Sequence, residues 1–374
     1  MKKYYPYILF AAVLLVSSIA YIPVYHNYKF VGDGALYTAM AESFLQQHAF
    51  RDITYIPDRP FFTVQVGISS VLALWRFVLG QYWLAGYLVT VSVVWSVALL
   101  EIRRLVLELG LGEKTAALVS VILFLQPDAQ LATINLNNEA LWTPMLYAAM
   151  AGFLRGVLTP SAAVPALFPA SSWRGVMFVA FTLLSPVFRI QALAGLATMG
   201  TACLLYARPK LPRFITLSCA AVAVFAAVAW WMRDVSPAAD CVMAKLSRNS
   251  LDLEAAAYNF LAQAGFELQS VRLFPPTRMG EVSPPGWILA GVGMALALAL
   301  FVMAWRRQRR LVVIALAAYG WNWLFLAYFS FIEQRYFLPF NFFLTLVAAV
   351  ALRPTIARVS RWVVAGGAAA MMLP

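Results

Sequence analysis

Asp33 stands in the segment VGDGALYTAMAESF, directly after an apolar run from Tyr7 to Val24. Further along come Asp58-Arg59-Pro60, then Asp128 and Glu139 within QPDAQLATINLNNEALWTP, Arg189 after Pro186, and Glu333-Gln334-Arg335-Tyr336 within FIEQRYFLP. All of them border apolar stretches. A carboxylate in such a place suits a general base, which must lie within hydrogen-bond reach of the proton it takes. An arginine suits a phosphate, because the planar guanidinium matches two oxygens at once and keeps its charge. Together these groups suit transfer from a phosphate ester: the carboxylate deprotonates an acceptor hydroxyl, the hydroxyl attacks, and an arginine-held phosphate leaves. Ionisable groups at membrane depth cost about 2.5–3.5 kcal/mol each on insertion scales, so they pair with one another or line a wet cavity. Pairing alone explains any single one of them; a site better explains carboxylates and arginines gathered on one face.

The elements that must position these residues are membrane helices. Of the 374 residues, 63% are apolar and 12% charged, with a mean hydropathy of +0.76, far outside the range of soluble globular domains. Apolar stretches near residues 7–24, 83–102, 115–126, 139–154, 174–187, 189–206, 214–232, 286–305, 311–329 and 337–352 predict an all-α polytopic bundle of about 10 to 11 spans. No separate soluble domain is expected: residues 1–374 form one membrane domain, with a first outer loop at 25–82 and a large outer loop at 233–285. Within the latter, NSLDLEAAAYNFLAQAGFELQ has a helical rhythm and is expected along the membrane surface.

Net charge is +12, and its distribution makes it a topology signal rather than a nucleic-acid footprint. With Lys2 and Lys3 inside, alternation puts 17 basic and 3 acidic residues on that side, against 11 basic and 13 acidic on the other. That asymmetry obeys the positive-inside rule. It holds only if Phe61–Leu79 does not cross, so that segment is expected to be re-entrant or surface-lying, with Arg76 snorkelling to the interface. The predicted placement is an integral multi-pass protein of a bacterial inner membrane, its site facing the periplasm or exterior. Three cysteines, Cys203, Cys219 and Cys241, give no disulfide framework and no CxxC spacing. Gly-rich phosphate loops, HExxH and GxSxG are absent.

A donor whose phosphate lies at the outer surface while its tail stays in the bilayer is a polyprenyl phosphate. If it carries a sugar, attack on the anomeric carbon from the face opposite the phosphate inverts that centre, and no nucleotide is needed. The partners expected are such a lipid-linked sugar, a glycan, lipid or protein acceptor, and the bilayer itself.

The acidic residue in GDGALYTAMAESF, the Asp58-Arg59-Pro60 run before an apolar segment, the Pro127–Glu139 loop and EQRYFLP, taken in order, resemble the GT-C membrane glycosyltransferases. The likeness is to the branch of protein O-mannosyltransferases and aminoarabinose transferases. The resemblance implies that Asp33 is the catalytic carboxylate of the first outer loop, that Arg59 and Arg335 contact the donor phosphate, and that either Asp128 or Glu139 is the acidic residue of the second outer loop. Tyr37, Glu333 and Tyr336 accompany them in the same segments. Arg189 joins the phosphate contacts from its place in the topology. Some relatives hold a divalent metal ion with a carboxylate and later histidines; here the histidines are His26 and His48, both early, which leaves Asp58 as the metal candidate. A polysaccharide polymerase or ligase, or a secondary transporter of similar topology, is the alternative reading. A transporter would show inverted repeats and midplane charges, and neither is evident.

Overall fold

The computed structural model describes residues 5–26, 33–48, 66–158, 173–189, 191–233, 257, 260, 284–327 and 334–358. Among them every regular element is helical: α1 (Tyr5–His26), α2 (Asp33–Gln47), α3 (Gly67–Leu79), α4 (Trp83–Glu108), α5 (Glu113–Phe124), α6 (Pro127–Ile134), α7 (Glu139–Leu158), α8 (Trp173–Phe188), α9 (Ala192–Tyr206), α10 (Leu211–Arg233), α11 (Pro284–Trp305), α12 (Arg309–Leu326), α13 (Leu338–Ala351) and α14 (Arg353–Arg358), with short 3-10 turns at Gly80–Tyr82, Arg208–Lys210 and Gln334–Phe337. Each of the ten apolar stretches read from the sequence overlaps one of these helices within the described residues. Three segments are long and apolar enough to cross a membrane: Gly67–Glu108, Glu139–Leu158 and Arg208–Val228. Shorter apolar helices accompany them at Tyr5–Ile19, Val176–Phe188, Ala192–Tyr206, Gly291–Trp305 and Leu338–Ala351.

Helix α7 is the axis of the bundle, with 83% of its apolar window buried. It runs parallel to α4, as successive contacts record: Trp95 meets Tyr147 edge-on at 6.1 Å, and Glu101 accepts from Arg155 at 2.8 Å. Helices α8 and α5 run back against this pair, bringing Arg189 to Glu139 and Glu113 to Arg103. The periphery faces the other way. Only 17% of the α10 window is buried, and Leu15, Ile19, Val222, Leu296 and Val302 on α1, α10 and α11 stand exposed. Apolar side chains turned outward around a polar-poor bundle are what a lipid solvent selects. Several helix hydroxyls suit the same solvent: Thr90, Ser92, Ser96, Thr182 and Thr198 each donate to the carbonyl four residues earlier at 2.6–3.0 Å, which satisfies these five donors within their own helices.

These contacts define two ends. The Arg155 end collects the α4–α5 turn, the end of α7, the α9–α10 turn, where Lys210 reaches the Gly156 carbonyl, and the α11–α12 turn, where Arg307 donates to Val350 and Ala351 at 2.9 and 3.0 Å. The opposite, Arg189 end collects α2, α3, α6 and the start of α7. Helix α3 stays there. Its first turn touches Asn138 and Phe188, and its last places Arg76 on Glu42 of α2 and 5.0 Å from the Trp83 ring. Trp75 donates to Thr90 at 2.8 Å, closing α3 onto α4 as a hairpin. Arg76 is thus held by an ion pair within the bundle, where the sequence suggested snorkelling. Residues 362–373 and all of the large outer loop except residues 233, 257, 260, 284 and 285 lie outside the described residues.

Candidate functional site

The site is organised by the turn at 135–138, between α6 and α7. Leu136 adopts φ 55°, a left-handed conformation that is an outlier for a bulky non-glycine residue. Its side chain is fully buried, which offsets the strain. The Asn137 N–H donates to the Ala132 carbonyl at 2.8 Å, and the Tyr87 hydroxyl donates to Thr133 at 3.0 Å. So held, the turn pushes the Asn135 carbonyl against α2. A Cβ on Gly34 would lie 2.0 Å from that oxygen, and only glycine permits so close a backbone approach. On its other side, Asn138 Oδ1 accepts from the Ile68 N–H at 3.2 Å, satisfying one of the orphan donors at the start of α3. The starts of α2, α3 and α7 therefore meet at four residues.

Glu139 begins α7 directly after this turn and is 1% exposed. It forms an ion pair with Arg189, whose side chain is 10% exposed. Burying either charge alone would be costly, and mutual pairing is what makes the depth tolerable. Arg189 occupies the break between α8 and α9. Pro186 has no N–H for the Thr182 carbonyl, to which Ser185 Oγ donates instead at 3.3 Å. Phe188, one residue before Arg189, lies flat over Gly67, where a Cβ would come within 2.5 Å of its ring. The Arg189 guanidinium carbon is 4.5 Å from the Tyr336 ring centroid and 6.0 Å from that of Trp142, a cation held between two aromatic faces.

Tyr336 is fixed through its backbone. Gln191 donates to its carbonyl and also to Asn322 Oδ1 at 2.9 Å, and Asn322 Nδ2 reaches the same carbonyl at 3.4 Å. Helices α9, α12 and the 3-10 turn before α13 thereby join the Glu139–Arg189 pair. Trp142 is fully buried and its Nε1 has no hydrogen-bond partner among the described residues.

No family model, curated protein or solved structure matches the chain. The residues themselves carry the functional reading.

Of the sequence-predicted site residues, Glu139, Arg189 and Tyr336 are brought together directly. Asp33 opens α2, next to Gly34 and hence to the Asn135 carbonyl; Arg335 lies in the Gln334–Phe337 turn beside Tyr336; Asp128 lies on α6. The side chains of these three are outside those described. Asp58, Arg59 and Glu333 lie outside the described residues altogether. Tyr37 is buried on α2. Among the described residues no group of three His, Cys, Asp or Glu is placed to hold a metal ion, and Asp58, the candidate ligand, is not among them. Sequence reasoning missed Asn138, Trp142 and Asn322 as members of the site. The available signal was a neutral polar residue buried inside an apolar run, Asn322 in YGWNWLFL being the plainest case.

Chemically, the pair fixes a guanidinium whose position is set by Glu139 on one edge and by Tyr336 on one face. Such an arginine is preorganised for an anion, and Glu139 is thereby engaged as its anchor.

Proposed function

We propose that this chain is a membrane-embedded glycosyltransferase that moves a sugar from a polyprenyl-phosphate donor to an acceptor hydroxyl, with inversion at the anomeric carbon. One observation carries the reading: the start of α2 at Asp33, the Glu139–Arg189 pair and the 334–337 turn all gather at one end of a helical bundle. Asp33 is the general base. Arg59, Arg189 and Arg335 take the phosphate as it departs, each able to offer a two-pronged contact. Glu139 positions Arg189, and Asp128 is the acidic residue of the second outer segment assigned to the acceptor.

In this reading α1, α4, α5, α7, α8, α9, α10, α11, α12 and α13 each cross the bilayer, the Arg155 end lies in the cytoplasm and the Arg189 end faces the periplasm or exterior. The shorter helices cross where the bundle thins the layer, and α3 lies at the outer surface. The gathering of Arg103, Arg104, Arg155, Arg208, Lys210, Arg307 and Arg310 at the opposite end supports that orientation.

The test is incubation of the purified protein with a panel of labelled polyprenyl-phosphate sugars. Release of the free lipid phosphate with at least one donor is expected. A panel without release, with the protein folded, would contradict the proposal. A secondary transporter is favoured by one feature, the buried Glu139–Arg189 pair at a helix break; uptake of a solute by sealed proteoliposomes without lipid-phosphate release would select it.

A further inference from the structure

The Arg155 end is divided electrically. On the α4, α5 and α7 side its arginines are neutralised: Arg103 by Glu113, Arg104 by Glu101, and Arg155 by Glu101 and Glu108 at 2.8 and 2.9 Å. On the other side the α9–α10 turn carries Arg208, Lys210 and Arg213, the α11–α12 turn carries Arg306, Arg307, Arg309 and Arg310, and among the described residues none of these is ion-paired. Their own segments bring no acid, since no Asp or Glu occurs within 140–233, 282–332 or 334–374, and Glu101, Glu108 and Glu113 at this end are engaged by Arg103, Arg104 and Arg155.

The two turns are neighbours in space. The Arg310 guanidinium lies 5.6 Å from the ring centroid of Tyr206, the last residue of α9, and Arg309 lies 5.0 Å from that of Trp305. Arg208 Nε caps α9 by donating to the Leu204 carbonyl at 3.1 Å, which leaves the two terminal nitrogens of its guanidinium for another acceptor. Directly along the helices from these charges, Leu204, Leu205 and Ile215 are about half exposed. A concentration of positive charge with no acidic counterpart, bounded by outward apolar side chains, matches one kind of molecule in shape and charge: a lipid with a phosphate head and acyl chains.

We propose that the notch between the α9–α10 and α11–α12 turns binds an anionic phospholipid, its phosphate among Arg208, Lys210 and Arg310 and its acyl chains along Leu204 and Leu205. This is a second lipid site, at the end opposite the Glu139–Arg189 cluster and independent of the chemistry proposed there. A bound headgroup would tie α9–α10 to α11–α12 by satisfying charges that otherwise repel across the two turns.

The test is native mass spectrometry of the purified chain with equal amounts of cardiolipin, phosphatidylglycerol and phosphatidylcholine. Preferential retention of the anionic lipids is expected. Arg208→Gln/Arg310→Gln should weaken that retention by about fivefold for each basic residue removed, while Arg353→Gln/Arg358→Gln, which removes the same charge at the same end, should leave it unchanged. Lys210→Gln/Arg310→Gln serves as the second variant should the first not fold, with the same loss expected. Equal retention of all three lipids by the parent would overturn the site, as would an equal loss in the Arg353/Arg358 control. Inorganic pyrophosphate raising the melting temperature as much as cardiolipin does would overturn the lipid assignment in favour of a soluble anion.

Discussion

Glu139→Gln separates what the buried pair contributes to the fold from what it contributes to activity. Glu139 is 1% exposed and the Arg189 side chain 10%, so removal of the carboxylate charge takes this ion pair from a guanidinium that lies between Trp142 and Tyr336 with little water to solvate it. Breaking such a pair from one side costs about 3–5 kcal/mol, whereas replacing both partners by neutral groups of similar volume is close to neutral. Glu139→Gln and Arg189→Met alone should therefore each destabilise by at least about 3 kcal/mol. The double variant should be destabilised by only roughly 1 kcal/mol, so that the coupling between the two positions has a magnitude of at least about 5 kcal/mol. The assay is reversible unfolding in mixed micelles by added sodium dodecyl sulfate, followed by tryptophan fluorescence. Sugar transfer should be lost in all three variants, including the stable double variant, because the oriented guanidinium is gone. Single-variant effects that add within about 0.5 kcal/mol would refute the coupling, and an active double variant would assign the pair to the fold alone.

Gly34→Ala should disrupt the contact of α2 with the 135–138 turn, because its Cβ would meet a backbone carbonyl rather than a movable side chain; a loss of about 1–3 kcal/mol and a fall in transfer exceeding that of Gly320→Ala, where nothing lies within 4 Å, are expected from unfolding and turnover assays. Arg335→Lys should already lose most activity, since a point charge does not reproduce a forked contact; near-normal turnover would make Arg335 structural. Glu101→Gln should destabilise the opposite end by about 1–3 kcal/mol, because Glu101 serves both Arg104 and Arg155, yet leave the Michaelis constant for donor unchanged in steady-state kinetics.

The helices were legible because burial in lipid or in the bundle leaves a direct trace in composition: the stretch read at 139–154 starts with α7 and ends four residues short of it, and the one at 286–305 is α11 but for two residues. The charge count led to the expectation that 61–79 does not cross; within it α3 packs its first turn on Asn138 and sets Arg76 on Glu42 of α2, contacts on which a count of charges along the chain is silent. Glu139 and Arg189 were legible as well, since ionisable groups inside apolar runs are expensive and conspicuous. Their mutual pairing was not, because fifty residues of chain separate them and spacing carries no information about which helices meet. Asn138, Trp142 and Asn322 escaped for a different reason. Neutral polar and aromatic residues are common at membrane helix ends, and only the turn at Leu136, whose left-handed backbone no sequence rule foretells for leucine, reveals which of them converge.

The central claim is that Asp33 acts as the base in sugar transfer, and one comparison tests it most directly: release of polyprenyl phosphate from a labelled donor by the parent chain and by Asp33→Asn, each first shown to elute as a folded species with the same melting temperature. The account predicts release by the parent and a fall of at least about a hundredfold in the variant, the usual range for a lost general base. Equal release by the two proteins would contradict it.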